Sequence, residues 1–154
     1  MEFCTLIGKM TQSACDGDGD SVAACFTEKG VYHDVFYGAF EGRSQIAEMI
    51  HDYFHRDACN FRWDLHEPVS DGTTGYCRYV FSYEPLLRDA KRTRTMFEGV
   101  AVATLENGLI SSYTEVANTA PGLLRMGFSP ARLAKFVDKQ GAELAVRKES
   151  EGHL

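Results

Sequence analysis

Tyr113 and Glu115 stand two residues apart in a stretch, Leu109–Asn118, whose composition predicts a strand. Side chains alternate across a strand, so both project from one face while Thr114 and Val116 project from the other. If that face is interior, the tyrosine hydroxyl can donate to a developing oxyanion and the glutamate can serve as acid or base. Arg78 can pair with Glu115 or with Asp34, and such a pair serves equally well to brace a sheet. Three other groupings carry weaker chemistry. Asp16-x-Asp18-x-Asp20 has the spacing that opens a calcium loop, but position six is Ser21 and position twelve is Thr27, where glycine and glutamate are needed. It reads instead as a turn between helices with an aspartate N-cap. His51 and His55 are four apart, a spacing that can hold zinc, yet no glutamate follows His51 directly and no third ligand is evident. They are expected on the solvated edge of a helix. Arg88, Lys91, Arg92 and Arg94 make a basic loop that can touch a phosphate and is read as a soluble hairpin connection.

The elements that must position these residues fall into helices first and strands second. Phe3, Leu6, Ile7 and Met10 recur at helical spacing. A short helix carrying Val22, Cys25 and Phe26 is expected next, ended by Gly30, and Val31–Phe36 is expected to be extended. Gly38 and Gly42 flank a predicted turn. Ile46, Met49, Ile50, Tyr53 and Phe54 form an amphipathic stripe. Strands are predicted over Phe61–Glu67, Gly75–Glu84 and Thr93–Leu105, with the polar loop Leu86–Arg92 between the last two. Asn107-Gly108 is a hairpin turn leading into Leu109–Asn118. Pro121-Gly122 marks a break, and Pro130 opens a final helix with Leu133, Phe136, Val137 and Leu144 on one face. This order predicts an α+β domain.

The chain has 154 residues, 44% of them hydrophobic, enough for one sizeable core. Its formal net charge of −6 disfavours a nucleic-acid surface, which needs concentrated positive charge. Cys4, Cys15, Cys25, Cys59 and Cys77 are scattered, with no C-x-x-C, so they read as free thiols of a reducing cytoplasm. No basic region followed by an apolar run opens the chain, and no apolar stretch is long enough to cross a bilayer, so neither signal peptide nor membrane contact is expected.

The run Phe26-Thr27-Glu28-Lys29-Gly30-Val31-Tyr32-His33-Asp34, then Gly42-Arg43-Ser44-Gln45-Ile46, resembles the opening signature of the nuclear-transport-factor-2-like superfamily. The segment Leu105 to Glu115, L-x-N-G-L-I-x-x-Y-x-E, resembles its closing hairpin. The resemblance covers about residues 2–118. It implies a cone in which N-terminal helices pack on a strongly curved, mostly antiparallel sheet around a pocket for small apolar ligands, plus a C-terminal helix. A single domain over 1–154 is expected, with 121–154 a helical extension that either caps the pocket or extends a dimer contact. Trp63 and Phe97 are then expected pocket walls or core. Tyr53 is a further candidate for ligand contact, and His66 for the rim or the surface.

What the resemblance implies about chemistry differs among relatives. By its place after Gly30, Asp34 resembles the general base of ketosteroid isomerases, which a raised pKa at an apolar wall would favour. The donors of that family's oxyanion hole would fall near Met10 and Ala101, which cannot donate, so the enolate-stabilising half is absent or built differently. SnoaL-like polyketide cyclases use one aspartate for an aldol closure and need no strong oxyanion hole. In limonene-epoxide-hydrolase-like enzymes, Tyr32 and Asp34 would match the tyrosine and asparagine that hold a water. Arg78 would match the arginine and Glu115 one acid, while Val80 stands at the place of the other. The expected functions are therefore acid/base chemistry on a small apolar carbonyl compound, of isomerase, aldol cyclase or lyase type, non-catalytic binding of a small apolar ligand, or epoxide opening. No metal or organic cofactor is required. A homodimer through the outer sheet face is expected, and an interaction module built on that face is a third reading.

Overall fold

The computed structural model describes residues 2–154. Helix α1 (Phe3–Asp16) buries Phe3, Leu6, Ile7 and Met10, the residues whose spacing predicted it. Gly17 ends it at φ 78°, a left-handed conformation that glycine adopts without a Cβ penalty. Asp18 then caps α2 (Gly19–Ala23) by accepting from the Ser21 N–H at 2.9 Å, as the turn reading expected. The chain does not remain helical to Gly30. Strand β1 (Phe26–Asp34) already begins at Phe26, because Phe26, Gly30 and Tyr32 bury against a neighbouring strand. Gly30 sits at an irregularity there, where a Cβ would lie 3.0 Å from the Ile110 carbonyl oxygen. Gly38 and Gly42 flank a short strand, β2 (Gly38–Glu41), rather than a bare turn.

Helix α3 (Gly42–Met49) buries Ile46 and Met49, widens into a π turn over Ile50–Phe54, and ends in α4 (His55–Asp57). His55 donates through Nε2 to the Ala14 carbonyl at 2.8 Å, which ties this helix end to α1. The remaining strands are β3 (Ala58–Ser70), β4 (Thr74–Pro85), β5 (Thr95–Glu106) and β6 (Leu109–Asn118). The sheet order is β2-β1-β6-β5-β4-β3; β1 runs parallel to β6 and every other neighbouring pair is antiparallel. Strand β3 is longer than predicted because two bulges carry it along β4, and Asn60 and Glu67 take positive φ within them. Bulges bend a strand and increase its twist, which curves the sheet around the N-terminal helices.

Pro121-Gly122 does not simply break the chain. Pro121 occupies the first turn of α5 (Ala120–Arg125), where its missing N–H costs nothing. Thr95 Oγ1 donates to the Gly122 carbonyl at 2.7 Å and Arg125 Nε to the Arg94 carbonyl at 2.7 Å, anchoring α5 to β5. Helix α6 (Pro130–Ala145) starts at the Ser129 cap and packs through Leu133 and Phe136, while Val137 and Leu144 remain exposed.

Candidate active site

The inner face of the sheet, the segment after β1, the end of the π turn and the C-terminal helices enclose a cavity of about 260 Å³. Its walls are mostly aromatic. Phe54 stacks on Phe61 at 4.4 Å and 18°, Phe61 lies 16° from parallel with Phe81, and Trp63 packs on Phe81 at 4.9 Å. Leu123, Met126, Phe128 and Phe136 complete the lining, so the C-terminal extension caps this pocket.

Two carboxylates face into it, and each is set by its strand. Asp34 ends β1, and its Oδ1 accepts from the N–H groups of Phe36 at 2.8 Å and Tyr37 at 3.0 Å. This turn mimics a backbone turn and reverses the chain into β2. Burial raises the Asp34 pKa, and the two N–H bonds oppose that rise. Glu115 reaches the cavity from β6, and its Oε1 accepts from the Tyr113 hydroxyl at 2.6 Å. Burial pushes its pKa up to about 8; the Asp34 charge adds to the rise and the phenol contacts oppose it. Burial thus lifts both carboxyl groups, and the Asp34 charge lifts Glu115 further, so Glu115 is the one pushed furthest toward its protonated form. Such a difference suits the two to acid and base roles in one site. A third carboxylate, Asp57, accepts from the Tyr37 hydroxyl at 2.6 Å and pairs with Arg56 at 2.7 Å, and the arginine holds it below the usual carboxylate range.

The fold brings together some of the residues singled out from the sequence and disperses others. Tyr32, Asp34, Trp63, Phe97 and Glu115 all line the cavity. Tyr113 is fully buried behind Glu115, with its ring 4.6 Å from that of Tyr32, so it orients the acid instead of facing a ligand. Arg78 pairs with neither Asp34 nor Glu115. Cys77, Tyr79, Phe81 and Tyr83 alternate inward on β4, so Arg78 projects outward and bonds Glu67 at 3.1 Å. Val80 shares that outer face, which removes both positions of the epoxide-hydrolase match: a one-residue offset exchanges the two faces of a strand. His66 lies opposite Arg78 in the ladder, away from the cavity. Tyr53 is not in the lining either; it packs behind it, 5.3 Å from each of the rings of Tyr37 and Phe40.

Tyr79 was missed, although the alternation starting at Cys77 was legible and pointed it inward. Its ring lies over Gly99, its partner in register, and a Cβ there would sit 2.6 Å from the Tyr79 hydroxyl. That hydroxyl is buried, lies beside Glu115 and helps to lower its pKa. Trp63 Nε1 is equally buried and, among the described residues, has no hydrogen-bond partner. Leaving a buried donor unpaired costs about 1–3 kcal/mol.

A family model, "SnoaL-like domain", matches residues 10–113, more than half of the chain. The chain belongs to the SnoaL-like domain family. Solved structures with this fold include a protein of ketosteroid-isomerase-like fold from Catenulispora acidiphila, with a TM-score of 0.71 and 14% identity over 80% of this chain and 93% of that one. A candidate polyketide cyclase from Xanthomonas campestris has a TM-score of 0.65 and 20% identity over 80% of this chain and 95% of that one. An epoxide hydrolase resembling limonene epoxide hydrolase, from M. tuberculosis, has a TM-score of 0.64 and 15% identity over 88% and 94%. At these identities the likeness shows the fold alone, and the fold is nuclear-transport-factor-2-like. No functionally curated protein matches the chain in sequence. In this SnoaL-like domain, α6 lies beyond the residues that the family model matches.

Proposed function

We propose that this SnoaL-like domain is a cofactor-independent acid/base enzyme acting on a small, largely apolar carbonyl compound. The observation that carries the reading is the pair Asp34 and Glu115, two carboxyl groups that face one aromatic cavity and whose pKa values burial raises. Asp34 takes a proton from the carbon beside the carbonyl, and the C–H electron pair passes into an enolate. In an isomerisation, Glu115 returns a proton to another carbon of the conjugated system. In an aldol closure the enolate carbon attacks a second carbonyl, whose oxygen takes the Glu115 proton. Solvent then restores the two carboxyl groups to their starting states.

The test is α-proton exchange of small cyclic ketones and 1,3-diketones in deuterated water, followed by NMR. The protein is expected to accelerate exchange, and Asp34→Asn to lower the rate about 10²-fold or more, the range for losing a general base. A wild-type protein that accelerates no exchange, or an Asp34→Asn variant that keeps it, ends the reading. Epoxide opening is less well supported, because Arg78 and Val80 face away from the cavity.

We also propose that two copies pair through the outer face of the sheet. Val100 and Val116, partners in register, and Tyr76 stand exposed there. A monomer mass by sedimentation at micromolar concentration would count against pairing. The five free cysteines favour a reducing, cytoplasmic setting, and no helix of the described residues is long and apolar enough to cross a membrane.

A further inference from the structure

We infer that the ligand of this cavity carries an anionic group, a carboxylate or a phosphate, that stays outside at the mouth and is met there by Arg88, Lys91 and Arg92. The inference rests on the reading of the cavity as the seat of a carbonyl compound, and it adds the polar end of that compound.

Leu87 marks the mouth. It lines the cavity, and of the lining residues it is the most exposed. It belongs to the loop between β4 and β5, and that loop is held against the turn that precedes α6. The Lys91 N–H donates to the Met126 carbonyl at 2.9 Å, and the Lys91 stem runs past Gly127, where a Cβ would lie 3.3 Å from Lys91 Cγ. Met126 and Phe128, on either side of that glycine, both line the cavity. The Ala90 N–H closes the loop on the Leu87 carbonyl at 3.1 Å. The loop that carries the cations therefore borders the opening.

The charge there runs against that of the rest of the chain. Residues 86–94 and 119–137, which are the loop, α5 and the first half of α6, hold seven of the 16 lysines and arginines. They hold one of the 22 acidic residues, Asp89, while the whole chain stands at −6. Arg94 is paired with Glu84 at 3.8 Å, and the Arg132 guanidinium lies 3.8 Å from the centre of the Phe128 ring. Arg88, Lys91 and Arg92 are exposed and, among the described residues, have no ion pair. Unpaired cations at the entrance of an apolar cleft raise the local concentration of anionic ligands.

The interior has the opposite character. Asp34, Asp57 and Glu115 line it and no lysine or arginine does, so an anion placed inside would lose its water and find no partner. A ligand that suits both regions has an apolar carbonyl body inside and its charge outside. A void of about 150 Å³ takes one benzene, so the volume of about 260 Å³ takes one ring with a short chain leading out.

Three probes with one aryl-ketone body test this on the full chain: 6-oxo-6-phenylhexanoic acid, its methyl ester, and 6-oxo-6-phenylhexyl phosphate. By calorimetry at low salt, the acid is expected to bind about tenfold more tightly than the ester, the combined worth of a few exposed ion pairs. The phosphate, with more charge, is expected to exceed the acid. Raising the salt to about 0.3 M should remove most of this advantage, because exposed charges are screened. The combined variant Arg88→Gln, Lys91→Met, Arg92→Gln should bring the acid-to-ester ratio close to one, and a ratio is unmoved by a change in the amount of folded protein. The inference is overturned if acid and ester bind wild-type protein equally, if neither salt nor the variant changes their ratio, or if no probe binds. A preference for either anion over the ester supports it, and the stronger of the two says which anion the ligand carries. Exchange of the α-protons of the same probes separates this inference from the acid/base reading. Anion preference without exchange ends only the acid/base reading, and exchange without anion preference ends only this inference.

Discussion

Glu115 and Asp57 line the same cavity, and each accepts a tyrosine hydroxyl at 2.6 Å, from Tyr113 and Tyr37 respectively. Their protonation nevertheless moves in opposite directions: Glu115 rises to about 8 and Asp57 falls below its ordinary value. The phenol bond lowers both pKa values, so it is not what separates them. The separation comes from what else surrounds each group. Glu115 is enclosed by aromatic side chains with Asp34 nearby and no cation. Asp57 has the Arg56 guanidinium at 2.7 Å, whose charge-assisted bonds favour the ionised form. One cavity thus holds a neutral acid at one place and a fixed anion at another, and only the former has a proton to give at neutral pH.

The largest expected break in this comparison is Glu115→Gln. It should lower turnover roughly 10²- to 10⁴-fold, the range for losing a general acid, whereas Asp57→Asn should cost far less. In the wild-type protein, turnover should fall as pH rises through about 8, where Glu115 loses its proton. The same group makes stability depend on pH. Its folded pKa lies above the ordinary 4.5, so the folded state binds the proton more tightly, and the stability it contributes is complete below about 4.5 and lost as pH climbs through about 8. The span corresponds to a few kcal/mol on the order-of-magnitude scale of such shifts. Urea melts from pH 5 to pH 9 should show this loss in wild-type protein and not in Glu115→Gln; equal slopes would refute the protonated Glu115.

A smaller effect sharpens the comparison from the other side. Arg56→Ala should raise the Asp57 pKa toward the ordinary range, while Tyr113→Phe should raise that of Glu115 further, since the lost hydrogen bond was lowering it. Carbon-13 titration of the two carboxyls reads both shifts, and an Asp57 unmoved by Arg56→Ala would mean that the arginine does not set it. The smallest effect is expected on the outer face. Arg78→Ala removes an exposed pair with Glu67 and should cost no more than ~1 kcal/mol by denaturant melt, with turnover unchanged. A large loss of turnover would return Arg78 to the site.

Much of the architecture was legible because local patterns and tertiary burial agree. The spacing of Phe3, Leu6, Ile7 and Met10 on α1, and the Asn107-Gly108 turn between β5 and β6, are instances. Phe26–Gly30 was misread because helical and strand burial look alike over so short an apolar run, and a parallel partner, β6, decided between them. Among the candidate site residues, Asp34 and Glu115 came from motif and alternation. Arg78 failed because a match by position does not fix which face of a strand a residue takes, and the inward run from Cys77 to Tyr83 does.

The sequence by itself determined the order of elements, the inward pairing of Tyr113 with Glu115 and the aromatic supply for a pocket, since these follow from periods of 2 and 3.6 residues and from composition. The tertiary structure alone decided how far burial lifts the Glu115 pKa and that α5 and α6 close the cavity. Those outcomes depend on distance and solvent exclusion between residues far apart in the chain, and no local pattern encodes either.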